Sequence, residues 1–165
     1  MRPFQRESRE KMEIRPYTIH DQPLLNAFEI LAEDRKFTRT PNDNIASAKG
    51  DNERHPTLVM LNDQCVGFFT LHEGQGVKPY SNHQDAIFFR SFSVDARYRG
   101  QGVGKAVIQQ LPTYIKATFP YINEIVLTVN TDNDKAIALY KQAKYSITGE
   151  TSLEGRPVHI MNLNI

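Results

Sequence analysis

Between Arg99 and Lys105 the chain reads Arg-Gly-Gln-Gly-Val-Gly-Lys, with glycines at alternate positions where the flanking pattern predicts a strand running into a helix. Amides at a helix start have no intrahelical partner and lie at the positive end of the helix dipole. The turn therefore offers a row of donors to an anion, above all a phosphate or pyrophosphate. Glycines let the ligand reach those amides and permit the dihedrals that a nest of N–H groups needs. A bare strand-to-helix connection would need fewer of them. A P-loop would place glycine where Arg99 stands and Ser or Thr where Ala106 stands, so the magnesium-binding hydroxyl is missing. A dinucleotide turn would place glycine at Lys105 and an acid at the end of the next strand, where Asn130 stands.

A third phosphate pattern, Arg or Gln, two spacers, Gly, one spacer, Gly or Ala, is met by Arg99, Gly102 and Gly104. It sits in Phe92-Ser-Val-Asp-Ala-Arg-Tyr-Arg-Gly-Gln-Gly-Val-Gly-Lys105, and a second stretch follows, Leu127-Thr-Val-Asn-Thr-Asp-Asn-Asp-Lys-Ala-Ile-Ala-Leu-Tyr140. With these two motifs the sequence resembles the GNAT superfamily, the acetyl-coenzyme A-dependent N-acyltransferases. The resemblance implies direct transfer of an acetyl group to an amine within a ternary complex. It implies that the amides of Gly100, Gln101, Gly102, Val103, Gly104 and Lys105 clamp the pyrophosphate, with Arg99 as a charged donor. Main-chain groups of Phe92, Ser93 and Val94 would pair with the pantetheine arm, and an N–H near Val94 would polarise the thioester oxygen. Tyr140 matches the family's proton donor to the departing thiolate, a role open to a phenol of ordinary pKa about 10. By spacing alone Tyr140 reads as a core aromatic on a helix. Asn133 matches a residue that contacts coenzyme A, and it reads equally as a helix cap, a role Asp132 could share. Lys141 and Arg97 are candidates for the adenosine 3′-phosphate. A Gly-aromatic pair often ends the helix after the tyrosine, and Lys144 in that glycine's place predicts a differently shaped end.

A primary amine must lose a proton before it attacks. Relatives often supply a glutamate on the strand before the turn, but Phe88-Phe-Arg-Ser-Phe-Ser-Val94 contains no carboxylate. Glu73, His72, Asp85, Glu29 and water near Ser91 or Ser93 are the candidates. The missing carboxylate also supports a second reading, a non-catalytic sensor that binds acyl-coenzyme A with the same fold. A nucleotide-dependent phosphotransferase is opposed by the missing P-loop hydroxyl. Acidic Glu29, Glu33 and Asp34 would attract a cationic acceptor or simply form a solvated face.

Cys65, the single cysteine, cannot close an intramolecular disulfide and reads as a small buried hydrophobe rather than a nucleophile. The five histidines form no short metal-binding pattern, so no metal is expected. A net charge of +1 provides no field for gripping nucleic acid. No apolar run approaches the roughly 18 residues of a membrane span, and the charged N-terminus is no signal peptide. These features predict a cytoplasmic protein.

The elements that must position these residues follow from periodicity. The 165 residues suit one domain, residues 12–165, after a loose polar arm over 1–11. A strand is predicted at Glu13–Tyr17, then a helix on which Leu24, Leu25, Phe28, Leu31 and Ala32 recur behind an Asp21 cap and Pro23. A short helix near Asn44–Lys49 and a hairpin of Leu58–Leu61 with Val66–Leu71 come next. A strand over Ile87–Val94, a helix carrying Val103, Val107, Leu111, Tyr114 and Ile115 with a kink at Pro112, and a strand over Ile125–Val129 make a parallel βαβ unit. A helix through Ala136, Leu139, Tyr140 and Ala143 precedes closing strands near Tyr145–Gly149 and Val158–Leu163. The order β-α-α-β-β-β-α-β-α-β-β predicts an α/β fold, a mixed sheet with helices on both faces in a single GNAT-like domain. Its edge strands and closing hairpin allow a homodimer without requiring one.

Overall fold

The computed structural model describes residues 12–32 and 39–165. The expected N-terminal arm, and Glu33 and Asp34, lie outside these residues. The elements follow in the expected order: β1 (Met12–Pro16), α1 (Gln22–Asn26), α2 (Pro41–Ala48), β2 (Arg54–Leu61), β3 (Gln64–His72), β4 (Ala86–Val94), α3 (Val103–Thr118), β5 (Glu124–Asn130), α4 (Asp134–Gln142), β6 (Ser146–Leu153) and β7 (Arg156–Asn164). The seven strands form a mixed sheet in the order β1-β2-β3-β4-β5-β7-β6. β4 and β5 pair in parallel, joined through α3 as the βαβ reading requires. No helix among the described residues is long and apolar enough to cross a membrane.

Two compact units share these elements. The first holds the described residues up to Leu71 together with Ser91–Val107. In it β1 pairs antiparallel with β2, from Met12 opposite Leu61 to Pro16 opposite Thr57. Leu25, Ile45, Leu58, Met60, Cys65 and Phe68 form its core, with Tyr17, Leu24 and Phe28 packed against them. The helix α2 starts earlier than its apolar pattern indicates, because Thr40 caps it reciprocally with Asp43 and Pro41 opens its first turn.

The first helix is much shorter than expected, and the reason is non-local. Its bonds run to Phe28, but the Glu29 amide donates to Asp95 Oδ2 at 3.1 Å and the Glu29 carbonyl accepts from the Ala96 amide at 2.7 Å. Both groups that would have carried the helix toward Ala32 are thus used by a turn 66 residues away. Asp21 stands at the N-cap position without capping α1 through its side chain. Its carboxylate accepts a fork from Arg15, two bonds of 2.8 Å, and the Thr18 amide at 2.8 Å. Arg15 above all holds that carboxyl down at about 2.

The second unit comprises His72–Arg90 and Ile108–Ile165. Here the parallel ladder runs from Ala86 opposite Glu124 to Phe88 opposite Val126. β7 pairs antiparallel with β5, from Val158 opposite Asn130 to Asn164 opposite Glu124, and with β6 across a bulge between Ile147 and Gly149. Glu154 and Gly155, with φ of 52° and 77°, close the β6–β7 hairpin, the left-handed pair that a two-residue turn needs.

Candidate functional site

In the first unit, β4 continues beyond the last residue of its ladder with β5, and Ser91 takes φ 58°, a left-handed step inside a strand. Such a step marks a bulge that re-aims the residues after it. Phe92, Ser93 and Val94 follow, all half-buried. Ser93 Oγ is buried without a hydrogen bond, a cost that a polar ligand lying along this strand would relieve.

The strand ends at Asp95, whose carboxylate is fully buried at 0 % exposure. Oδ1 accepts from the Arg97 amide at 2.9 Å and Arg97 Nε at 3.0 Å, and Oδ2 from Arg97 Nη2 at 2.8 Å and the Glu29 amide. Burial alone would push this carboxyl up, but the Arg97 fork and the two amides together hold it below its ordinary value. Arg97 Nη2 also donates to the Ala27 carbonyl at 3.0 Å. Arg97 is therefore a clamp between Asp95 and the α1 exit. Sequence reading missed Asp95, although an acid two residues before an arginine at a strand end is a recognisable staple.

After the short 3₁₀ turn Ala96–Tyr98 come Gly100 at φ 74° and Gly102 at φ 87°, conformations that glycine adopts freely. A Cβ on Gly100 would meet nothing within 4 Å, so open space lies beside the backbone there. Val103 is buried and anchors the first turn of α3, while Arg99 and Lys105 are exposed and the Gln101 side chain bonds the Arg97 carbonyl. The Ala106 amide bonds the Gly102 carbonyl at 3.0 Å, so the Val103, Gly104 and Lys105 amides precede it in the first turn. Gly104 needs no special dihedral, and a Cβ there would rest 3.9 Å from the Phe92 ring. A turn of this shape, backed by exposed Arg99 and Lys105, fits a pyrophosphate.

The second unit carries the other candidates. Asn133 caps α4, accepting the Ala136 amide at 3.2 Å, so the cap is Asn133 and not Asp132. Tyr140, on α4, packs edge-to-face on Tyr145 with ring centroids 5.6 Å apart. Burial pushes the Tyr140 phenol up to about 12 and the Tyr145 phenol higher still. The helix end overturns the sequence expectation: Lys144 adopts the left-handed cap at φ 76°, and the Tyr145 amide reaches back to the Tyr140 carbonyl at 3.0 Å.

The proton acceptors separate clearly. His72 is buried, its Nδ1 lies 3.2 Å from Arg90 Nη1, and a Cβ on Gly76 would overlap its ring. Glu73 accepts the Tyr121 hydroxyl. Asp85 precedes the start of β4 and belongs to the second unit, not to the unit that carries Phe92–Val94. Glu29, about half-exposed, lies 3.8 Å from Arg97 Nε and belongs to the same unit as Phe92–Val94. Cys65 is buried, donates to the Gly67 carbonyl, and is pushed up to about 12 by burial, as a structural thiol should be. No group of acids, histidines or cysteines among the described residues could hold a metal.

Residues 17–145 match the family described as Acetyltransferase (GNAT) family. The N-acetyltransferase YbbJ of Bacillus subtilis is 33% identical over 124 residues, 74% of this chain and 78% of that protein. The peptidyl-lysine N-acetyltransferase YjaB of Escherichia coli is 30% identical over 112 residues, and the match spans 66% of this chain and 63% of that protein. The aminoglycoside acetyltransferase AAC(6')-Ib, solved in complex with coenzyme A, superposes with a TM-score of 0.72 at 17% identity over 93% of this chain and 94% of that one.

Proposed function

Given that the chain belongs to the GNAT family of acetyltransferases and is an acyltransferase, we propose that it transfers the acetyl group of acetyl-coenzyme A to a primary amine of a small molecule or peptide, by direct attack in a ternary complex. The observation that carries this reading is the turn at Gly100 and Gly102, held left-handed directly before the first-turn amides of α3. Those amides receive the pyrophosphate, with Arg99 as the charged donor. Main-chain groups of Phe92–Val94, beyond the β4–β5 ladder, hold the pantetheine arm, and the Val94 N–H stabilises the oxygen that gains charge when the amine attacks. Tyr140 is neutral at physiological pH, as any phenol of ordinary pKa about 10 is, and burial raises it further, so it carries the proton that the departing sulfur needs. Glu29 is the favoured acceptor for the amine's proton, since its backbone is tied to Asp95 and Ala96 immediately after the strand.

Replacement of Tyr140 by Phe is expected to lower kcat by a factor of about 10² or more while acetyl-coenzyme A affinity stays within about twofold. An unchanged kcat removes Tyr140 as the acid. Arg90, paired with His72 on the strand where relatives often carry a carboxylate, favours the second reading, an acyl-coenzyme A sensor. Tight acetyl-coenzyme A binding with no amine acetylated is the signature of that sensor.

A further inference from the structure

Residues 95–97 grip residues 27–29 through main chain and side chain alike, all within the first unit. Arg97 Nη2 donates to the Ala27 carbonyl at 3.0 Å, the Glu29 amide donates to Asp95 Oδ2 at 3.1 Å, and the Ala96 amide donates to the Glu29 carbonyl at 2.7 Å. Arg97 Nε lies 3.8 Å from Glu29 Oε2. The Arg97 fork also holds the fully buried Asp95 carboxylate, which in turn takes the Glu29 amide. The Glu29 side chain is more than half exposed, and its Oε1 has no partner among the described residues. An exposed ion pair of this kind adds little to stability. What it does is bias the rotamer of a long side chain whose backbone is already fixed on both sides.

We propose that Arg97 is a positioning residue for acetyl transfer: through Asp95 and Ala27 it sets the backbone of Glu29, and through Nε it holds Oε2, leaving Oε1 to take the amine's proton. The inference rests on the assignment of Glu29 as the proton acceptor. Val94, whose N–H is assigned to the thioester oxygen, immediately precedes Asp95, so the staple ties the base to the residue beside that donor. In the step, an ammonium N–H bond breaks and its proton passes to Glu29 Oε1, which later releases it to water. The freed lone pair forms the N–C bond to the thioester carbon, the C–S bond breaks, and the sulfur leaves with the Tyr140 proton. The second nitrogen proton goes to water, from which Tyr140 is reprotonated. A lysine at position 97 would keep a positive charge beside Asp95, but it lacks the planar fork that reaches Asp95 and Ala27 together.

The test measures kcat and KM for R97K, E29Q and the double variant, with acetyl-coenzyme A and the fastest acceptor among polyamines, amino acids, aminoglycosides and lysine peptides. R97K is expected to lose about tenfold in kcat, as for a reacting group displaced by a fraction of an ångström, with KM for both substrates within about twofold. E29Q should lose about 10²-fold. Adding R97K to E29Q should cost less than about twofold more, since Arg97 acts only through Glu29. E29D leaves the staple intact and only withdraws the carboxylate, so it should fold as the wild type does and lose about tenfold in kcat. Wild-type kcat in R97K or in E29D would overturn the proposal, as would losses that multiply in the double variant, the result of a merely structural role. E29Q at the wild-type rate removes Glu29 as the acceptor and this inference with it, whereas a wild type that acetylates none of the amines refutes the transferase reading itself.

Discussion

Replacing Asp95 by Asn tests the staple that ends the first helix and opens the cofactor turn. Each carboxylate oxygen accepts two donors, Oδ1 the Arg97 amide and Nε, Oδ2 the Arg97 Nη2 and the Glu29 amide. An asparagine must aim its NH₂ at one of these pairs, so two donors then face a donor. Arg97 can turn to water, being nearly half-exposed, but one backbone amide in either orientation cannot. An unsatisfied amide costs about 1–3 kcal/mol, and a bond to a charged group is stronger than one to a neutral group by a similar amount. The variant should therefore lose about 3 kcal/mol, or roughly 6–12 °C in midpoint for a chain of this size. Urea unfolding read by circular dichroism measures the loss. Because the folded Asp95 carboxyl lies below its ordinary value, its contribution is present above the unfolded pKa and vanishes as pH falls through the folded one, so the wild-type advantage should shrink in acid. A loss below about 0.5 kcal/mol at pH 7 would refute the staple.

Three further outcomes follow from the same structure. Lys144→Gly should stabilise the protein by about 0.5–1 kcal/mol in urea unfolding, because a side chain at φ 76° is strained where glycine is not; a loss would mean the lysine side chain is needed there. Burial holds Tyr140 at about 12, so the unfolded chain, near 10, loses this proton first. Its contribution to stability should be intact below pH 10 and fall as pH rises toward 12, seen as a declining urea midpoint. Cys65 should react with iodoacetamide at pH 8 only through unfolding, and fast labelling of the native protein would contradict its burial.

The sequence was most legible where one local pattern decided the structure. Glycines at 100 and 102, a 3.6-residue apolar repeat through α3 and the β-branched run of β5 pointed to the βαβ unit and its left-handed glycine turn without any distant contact. What it hid was decided by partners far along the chain. Nothing near Phe28 signals that the Glu29 amide will bond to Asp95, yet that bond ends α1. The clamp role of Arg97 was hidden because its second partner, the Ala27 carbonyl, lies 70 residues away. Lys144 misled in the opposite direction: packing of Tyr145 against Tyr140 holds the chain in a left-handed cap despite a side chain that disfavours it.

Amine-dependent release of the coenzyme A thiol from acetyl-coenzyme A, followed across polyamines, amino acids, aminoglycosides and lysine peptides, tests the central claim most directly. The account requires turnover with at least one of these primary amines, abolished or strongly reduced in Tyr140→Phe. Acetyl-coenzyme A bound tightly by calorimetry, with no thiol released beyond the amine-free rate for any acceptor, would contradict it and identify the protein as a sensor.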